Sequence, residues 1–282
     1  MGLLMESWQF LLILACASFG AGTFGALLGL GGGVILVPVL TLLLGVDIRY
    51  AIGASIVSVI ATSSGAAAAY VRDGITNLRI GMFLEIGTTT GAVTGALVGS
   101  LLSGRALYIV FAIILAYSGY VMFRKRNEKL PTTRECDPLG KCLRLEGCYY
   151  DPALAQTVHY YPTNTLPVLG LHYIAGLVSG LLGIGSGALK VPAMDIAMKL
   201  PIKVSSATSN FMIGVTAAAS AGLYFMRGQI NPFIAAPVAA GVLAGALVGA
   251  RLMPHVQGKA IRLLFVALLP VLALQMLAKG VL

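Results

Sequence analysis

The sequence predicts an all-α polytopic membrane protein built from two inverted repeats of about five segments each. Three observations support this fold class: a scarcity of charge, a series of long apolar segments, and an internal repeat. Of the 282 residues, 58% are hydrophobic and only 10% are charged. A soluble domain carries about 25% charged residues, so lipid rather than water is the expected solvent for most of this chain.

Apolar segments recur in both halves of the chain and divide it into a first membrane repeat (1–123), a polar stretch (124–165) and a second membrane repeat (166–282). They cover about 8–28, 34–46, 51–71, 80–102 and 106–123, and then 166–182, 188–200, 204–226, 232–253 and 259–278. A helix needs about 20 residues to cross a bilayer, so 34–46 and 188–200 are too short to cross alone. Each follows a glycine cluster and contains a proline, which predicts the second arm of a broken or re-entrant hairpin.

An internal repeat relates the two halves. Residues 29–38 (GLGGGVILVP) align with residues 183–192 (GIGSGALKVP) at an offset of 154, and five of the ten positions are identical. Further along, the pentapeptide GALVG occurs at both 95–99 and 245–249, an offset of 150. Several motifs in the same order indicate a duplicated unit.

The distribution of basic residues predicts how the halves are oriented. If 124–165, which opens with Arg124, is cytoplasmic, the inner loops hold fourteen Lys and Arg residues and the outer loops hold four. The positive-inside rule then favours inverted repeats in the cytoplasmic membrane, with both termini outside and Trp8 as an interfacial anchor.

The net charge of +9 does not indicate nucleic-acid binding, because the basic residues lie between apolar segments. Topology signals and contact with anionic lipid in the bilayer explain them better. Inverted repeats with discontinuous helices are typical of secondary transporters, whose sites lie near the membrane midplane where the broken helices meet.

The two glycine clusters are the first candidate binding positions. A glycine run lets the backbone turn sharply, and the helix that follows presents free N–H groups that bind anions without a formal cation. The alternative is that the glycines only permit close helix packing. The candidate positions are Gly31, Gly32 and Gly33 in the first cluster and Gly185, Ser186 and Gly187 in the second.

Two charged residues within apolar segments are further candidates. Lys190 lies in the first turn after the second cluster, where its repeat counterpart is Leu36, and could neutralise a bound anion. Alternatively it snorkels to an interface or pairs with Asp195 or Glu85. Glu85 is the candidate for carrying a coupled proton, with a structural or interfacial role as the equal alternative.

Small polar residues at matched positions complete the predicted site. Ser55 and Thr62 share a helix face in the first half, and Ser209 and Asn210 occupy the corresponding helix in the second. Their donors can replace the water shell of an oxyanion. The alternative is hydrogen bonding between or within helices, which is common for Ser and Thr in membranes.

The polar stretch contains Cys136, Cys142 and Cys148, with five residues between neighbours. Metal sites usually have cysteines two to four residues apart, so these are weak metal candidates and we expect no cofactor. Alternation over residues 142–150 indicates a short hairpin, and the stretch could cap the inner opening.

The glycine blocks at 26–38 and 180–192, with Ala-Thr-Ser-Asn-Phe at 207–211, resemble the sulfite exporter TauE/SafE family. The resemblance covers nearly the whole chain except 124–165, which looks like an insertion. It implies export or import of sulfite, sulfonates or related sulfur anions, and it implies that the glycine clusters, Ser55, Ser209 and Asn210 form the site.

Two other function classes remain as alternatives. An anion channel can also use glycine-lined gates. An intramembrane hydrolase would need Ser186 to be paired with a base, but the three histidines (His159, His172 and His255) are expected near or in loops, so we do not expect an enzyme.

Overall fold

The computed structural model describes residues 7–99, 101–124 and 135–281. The described residues are mainly helical, and the predicted all-α class is confirmed. The helices are α1 (Ser7–Leu28), α2 (Gly33–Pro38), α3 (Ile48–Arg72), α4 (Leu78–Gly99), α5 (Gly104–Arg124), α6 (Pro138–Cys142), α7 (Thr165–Leu182), α8 (Gly187–Pro192), α9 (Ile202–Met226), α10 (Pro232–Leu252) and α11 (Gly258–Val281).

Five helical segments are long and apolar enough to cross a membrane, which confirms a multi-pass protein. They are Ile48–Arg72, Gly104–Arg124, Thr165–Leu182, Pro232–His255 and Gly258–Val281, with Leu12–Leu28 and Gly33–Leu43 as shorter apolar helices. Large apolar side chains such as Ile113, Leu263 and Leu274 face outward on these helices, as lipid contact requires. The Trp8 side chain, the predicted interfacial anchor, lies outside the described residues, as does the basic segment 125–134.

The two short arms have the same construction. Helix α2 continues past Pro38 as π-helical turns over Val39–Leu43, and α8 continues past Pro192 over Ala193–Ala197. Proline has no N–H and its ring displaces the preceding turn, so the hydrogen-bond ladder widens locally.

The turn before each short arm depends on backbone conformations that only glycine adopts readily. Gly31 and Gly185, which are equivalent in the repeat, have φ of 77° and 65°. These values lie in the left-handed region that side chains with a Cβ disfavour. The chain therefore reverses within a few residues, and Gly25 lies directly against Gly32.

Each half packs against the other through equivalent helices. Along α4 and α7, Gly87 lies against Leu169 and Gly95 against Leu177, so these helices run in the same direction. Small residues at such contacts let two backbones approach closely.

The equivalent pair, α10 and α1, is also parallel, with Gly241 against Ala15 and Gly249 against Thr23. Helices α3 and α9 lie at the centre, and α5 packs against α11.

The polar stretch between the halves, which we call the central segment, folds as a small unit. It contains α6 and a hairpin of β1 (Gly147–Asp151) and β2 (Gln156–Tyr160). The alternating sequence pattern over residues 142–150 predicted a hairpin that begins too early in the chain, because Cys142 ends α6 rather than beginning a strand. Helix α6 forms there because Asp137 accepts a hydrogen bond from the Gly140 amide and Pro138 occupies its first turn.

Candidate functional site

The two glycine clusters meet in the structure. A Cβ on Gly187 would overlap the carbonyl group of Gly29, and a Cβ on Gly33 would lie 3.1 Å from the carbonyl oxygen of Ile184. Both clusters also contact Val59, near the middle of α3. We call the two turns, residues 29–33 and 183–187, the hairpin tips. They are in direct contact, with no room for a side chain between them.

Each hairpin tip is held by a serine of the opposite half. The Ser55 hydroxyl donates to the Gly183 carbonyl at 2.8 Å, and the Ser209 hydroxyl donates to the Gly29 carbonyl at 2.7 Å. Ser209 lies 154 residues after Ser55, and Gly183 lies 154 residues after Gly29. The two bonds therefore join equivalent residues of the repeat, and the contact is reciprocal. All four groups are buried, where an unpaired carbonyl would be costly.

Thr62 and Asn210 also bond to carbonyl groups. The Thr62 hydroxyl lies 3.1 Å from the Gly31 carbonyl oxygen and 2.9 Å from that of Ser58. The Asn210 amide nitrogen donates to Ala26 at 2.7 Å and to Ser206 at 3.1 Å. The donors of these predicted site residues therefore support the hairpins, which was the alternative interpretation of their pattern.

Several buried polar atoms around the tips have no hydrogen-bond partner among the described residues. They are the hydroxyl of Ser186 in the second tip, the hydroxyl of Ser206, whose backbone lies against Gly29, and the amide oxygen of Asn210. Likewise, the described backbone hydrogen bonds include none donated by the Gly32 or Gly33 amides. Most buried polar groups in proteins are satisfied, so this concentration of unused groups indicates a position where water or a ligand binds.

Lys190 and Glu85 form a buried ion pair. The Lys190 ammonium lies 3.3 Å from Glu85 Oε2 and donates to the Thr216 hydroxyl at 2.7 Å. Thr216 in turn donates to Glu85 Oε1 at 2.6 Å. Of the two carboxylates proposed as partners of Lys190, Glu85 makes the contact, while Asp195 pairs with Arg262 at 2.6 Å.

The Glu85 carboxylate has further donors on its own helix. Thr88 donates to Oε2 at 2.7 Å and Thr89 to Oε1 at 2.9 Å. Three hydroxyls and one ammonium thus surround a carboxylate that is almost fully buried. Such complete pairing is what allows an ionised carboxylate to remain in a low-dielectric interior.

This charged cluster occurs in only one half. The repeat counterparts of Lys190 and Thr216 at offset 154 are Leu36 and Thr62, and the counterpart of Glu85 at the α4–α10 offset of 150 is Ala235. Leu36 and Ala235 are buried and apolar. Packing alone does not require the charges, because the equivalent position is filled without them.

His172 was expected near a loop, and that expectation was wrong. It is fully buried in α7, with Nδ1 2.9 Å from the Val168 carbonyl oxygen and no partner at Nε2 among the described groups. The Ser186 hydroxyl also has no described partner, so Ser186 and His172 do not form a serine–histidine pair. Nucleophilic catalysis needs that pair within hydrogen-bond reach.

Sequence reasoning missed the ion pair that ties the central segment to the membrane bundle. Asp151 in β1 lies 2.7 Å from the buried Lys203 ammonium at the start of α9, and Lys203 also donates to the Pro254 carbonyl at 2.8 Å. Asn77, at the start of α4, donates to the Leu145 carbonyl. The sequence contained one signal that concerned Lys203. It aligns with Arg49 in the repeat, so the two residues lie at the starts of equivalent helices.

The three cysteines of the central segment are not brought together as a metal site. Cys136 is buried with its sulfur 3.6 Å from a Glu146 carboxylate oxygen, whereas Cys142 and Cys148 are exposed. No group of three metal-ligating side chains occurs in the described ranges. Burial, followed by the hydrogen bond and charge of Glu146, raises the pKa of the Cys136 thiol to about 11.

The family model for the sulfite exporter TauE/SafE matches residues 14–276. The chain belongs to this family. It is 27% identical over 277 residues to the probable membrane transporter protein YunE of Bacillus subtilis (strain 168), covering 95% of this chain and 98% of the relative. Probable membrane transporter proteins of Xylella fastidiosa strains 9a5c and Temecula1 are 27% and 26% identical over 205 residues, covering 72% of this chain and 70% of each relative.

No solved structure matches. The resemblance predicted from the glycine blocks is confirmed, and this TauE/SafE chain is a multi-pass membrane transporter rather than an enzyme.

Proposed function

We propose that the protein is a secondary transporter that moves a small anion, a sulfur oxyanion or an organosulfonate, across the cytoplasmic membrane by alternating access. The observation that carries the proposal is the direct contact between the hairpin tips, around which buried donors lack partners. The sulfur chemistry rests on the family description, which names a sulfite exporter.

The groups around the tips match the needs of an oxyanion. Each oxygen of such an anion accepts hydrogen bonds, and the unused donors are the Ser186 and Ser206 hydroxyls together with the Gly32 and Gly33 amides. Ser55 and Ser209 contribute indirectly, because they bond to tip carbonyls that would otherwise repel an anion. Neutral donors bind an anion yet release it readily, as a transport cycle requires.

We further propose that the halves are inverted, with both termini outside. The support comes from helix directions. Short turns make α4 antiparallel to α3, and α3 runs in the direction of α1, since Tyr70 near its end bonds to Ala26 near the end of α1. Helix α7 runs parallel to α4 and is therefore opposite to its repeat counterpart α1. The excess of basic residues in the inner loops agrees with this arrangement.

Alternating access follows from the closed state of the tips. Because no side chain fits between Gly29 and Gly187, substrate entry requires the tips to separate. One half rocking against the other would open a path to the unused donors from a single side. Because the two serine bonds are equivalent, opening toward either side of the membrane would cost a similar amount of free energy.

Glu85 is the group that we propose carries a coupled proton. Protonation of its carboxylate would remove the charge that balances Lys190, leaving the ammonium available to an anion. A proton and a monovalent anion would then bind together without burying net charge. From other helices, the charged group that contacts Glu85 is Lys190 on α8, and α9 contributes the neutral Thr216.

The proposal is tested first by ligand binding to the purified protein. A ligand specific for the folded state raises its apparent stability, so thermal unfolding is measured with sulfite, thiosulfate, a sulfonate, sulfate and a carboxylate. We expect stabilisation by at least one sulfur anion and loss of it in Ser186→Ala. The matched control is Ser64→Ala, an exposed serine that bonds to its own helix at the Ile60 carbonyl.

Transport itself separates the proposal from a channel. In proteoliposomes we expect saturable uptake of the same anion, accelerated by an inward proton gradient and independent of that gradient in Glu85→Gln. Resolved unitary currents would instead establish a channel. Absence of both binding and uptake for all five anions would overturn the proposed substrate class.

A further inference from the structure

We propose that the central segment is a lid across the seam between the two halves, anchored to the second half and latched to the first. The lid is the described part of that segment, residues 135–164. Opening of the seam at this end of the bundle requires the latch to release while the anchor holds. This inference rests on the proposed alternating-access function, for which it names the contacts that keep one side closed.

One face of the hairpin is buried against the bundle. Alternate residues of both strands are buried, namely Tyr149 and Asp151 in β1 and Val158 and Tyr160 in β2. Leu145, just before the hairpin, is also buried. Removing this much apolar surface from water favours a docked segment over a loop that moves freely. The lid is therefore a packed element that needs a defined step to leave.

The attachment to the second half, which we call the anchor, is buried and charged. Asp151 lies 2.7 Å from the Lys203 ammonium at the start of α9, and the two side chains are only 3% and 2% exposed. At the start of α7, the Thr165 hydroxyl and backbone amide donate to the Asp137 carboxylate at 2.6 and 3.0 Å. Loss of either partner from a buried ion pair leaves an uncompensated charge, so this attachment is costly to break.

The attachment to the first half, which we call the latch, consists of hydrogen bonds at the start of α4. The Asn77 side-chain amide donates to the Leu145 carbonyl at 2.9 Å and to the Tyr160 hydroxyl at 3.1 Å. The exposed Arg79 guanidinium donates to the Arg144 carbonyl at 3.0 Å. Such groups can exchange these bonds for bonds to water at a small net cost. The latch is therefore the weaker attachment.

The latch lies where the two halves touch directly. The Asn77 backbone amide donates to the Thr208 hydroxyl at 3.1 Å, which joins the start of α4 to α9. If the halves separate at this end, that bond breaks, and a lid attached to both halves must leave one of them. Because the anchor costs more to break, the lid stays with the second half and releases from Asn77 and Arg79.

The equivalent position at the opposite end of the bundle carries no such bridge. The repeat counterpart of Asn77 is Asn231, whose side-chain oxygen caps its own helix α10. The counterpart of Thr208 is Ala54, which has no hydroxyl to accept a bond. The described connections between helices at that end are short turns. The lid therefore acts on one side of the membrane.

The test uses a substitution that removes the latch and keeps the helix start. Asn77→Asp retains the side-chain oxygen that accepts a hydrogen bond from the Ile80 amide, but it loses the donor to the lid. Asn231→Asp is the matched control, because it makes the same change at the counterpart, where the oxygen accepts from the Phe233 amide. Arg79→Gln is a second latch variant at an exposed residue, for use if Asn77→Asp does not fold.

Opening of the seam is measured with a buried reporter cysteine. Ser205 is fully buried and lies one turn before Thr208 on the same face of α9. Ser205→Cys is made in a chain whose four native cysteines are replaced by serine. Labelling by a membrane-impermeant maleimide is then followed in proteoliposomes of each orientation, and uptake of ³⁵S-labelled sulfite is measured in the same preparations.

We expect Asn77→Asp to raise the labelling rate about tenfold from the lid side alone, because two hydrogen bonds to the lid are lost. Arg79→Gln, which loses one exposed bond, should raise it about threefold. Asn231→Asp should leave the rate unchanged from either side.

Equal labelling rates in the latch variants and in Asn231→Asp would overturn the lid, as would an equal increase from both sides of the membrane. Neither result would affect the proposed substrate, because labelling requires no anion. Labelling as expected in protein that does not transport sulfite would support the lid and count against the proposed substrate.

Discussion

Removal of either partner of the Lys190–Glu85 pair should destabilise the protein, and removal of both should cost less than the sum. The pair is buried at 3.3 Å. Deleting one partner of a buried ion pair leaves an uncompensated charge and costs about 3–5 kcal/mol in typical proteins. The two single variants should nevertheless differ, because the partners that remain are unequal.

Glu85→Gln leaves the Lys190 ammonium with only neutral acceptors, the Thr216 hydroxyl and the introduced amide oxygen, so an uncompensated charge that costs about 3–5 kcal/mol is expected. Lys190→Met leaves the carboxylate with Thr88, Thr89 and Thr216 as donors. Hydrogen bonds to a charged group contribute about 1.5–3 kcal/mol each, so this variant should lose only about 1–3 kcal/mol.

The assay is the free energy of unfolding in mixed micelles for the wild type, the two single variants and the double variant. We expect the double variant to be at least about 2 kcal/mol more stable than additivity predicts. Lys279→Met, at an exposed lysine, is the control and should be neutral. Additive costs, or a larger loss for Lys190→Met than for Glu85→Gln, would refute the pairing.

Three further predictions follow from the tips and the central segment. Ser55→Ala and Ser209→Ala should each lower the unfolding free energy by about 1–3 kcal/mol and by similar amounts, because each leaves one tip carbonyl unpaired; clearly unequal losses would argue against the reciprocal contact. Gly187→Ala should abolish anion binding in the thermal-shift assay, since its Cβ would overlap Gly29, and retained binding would show that the tips need not touch. At pH 8 an alkylating reagent should label the exposed Cys148 far faster than Cys136, whose pKa of about 11 leaves about one thiol in a thousand ionised; equal labelling rates would contradict the burial of Cys136.

The sequence was sufficient to predict the features that depend on neighbouring residues. Apolar length identified the helices, and the glycine clusters with Pro38 and Pro192 identified the two short arms. The resemblance to the family came from those same local blocks. Composition and spacing report such features directly, because each arises within a few turns of chain.

Contacts between distant residues were beyond the same reasoning. Glu85 and Lys190 are 105 positions apart, and the sequence offered Asp195 as an equal partner. His172 was misplaced for a similar reason, since distance from a segment end does not determine which side of a helix is buried. The roles of Ser55 and Ser209 also depended on their acceptors, which belong to the opposite half.

The exchange of serine bonds has a consequence for how such a protein could have arisen and how it can be divided. A half-length chain carrying only Ser55 would lack its acceptor at Gly183, and its own Gly29 carbonyl would lack a donor. Such a chain would be complete only as a homodimer, in which the serine of each copy bonds to the glycine carbonyl of the other. Expressed separately, 1–123 and 124–282 should each be degraded, whereas co-expression should restore a stable two-chain complex.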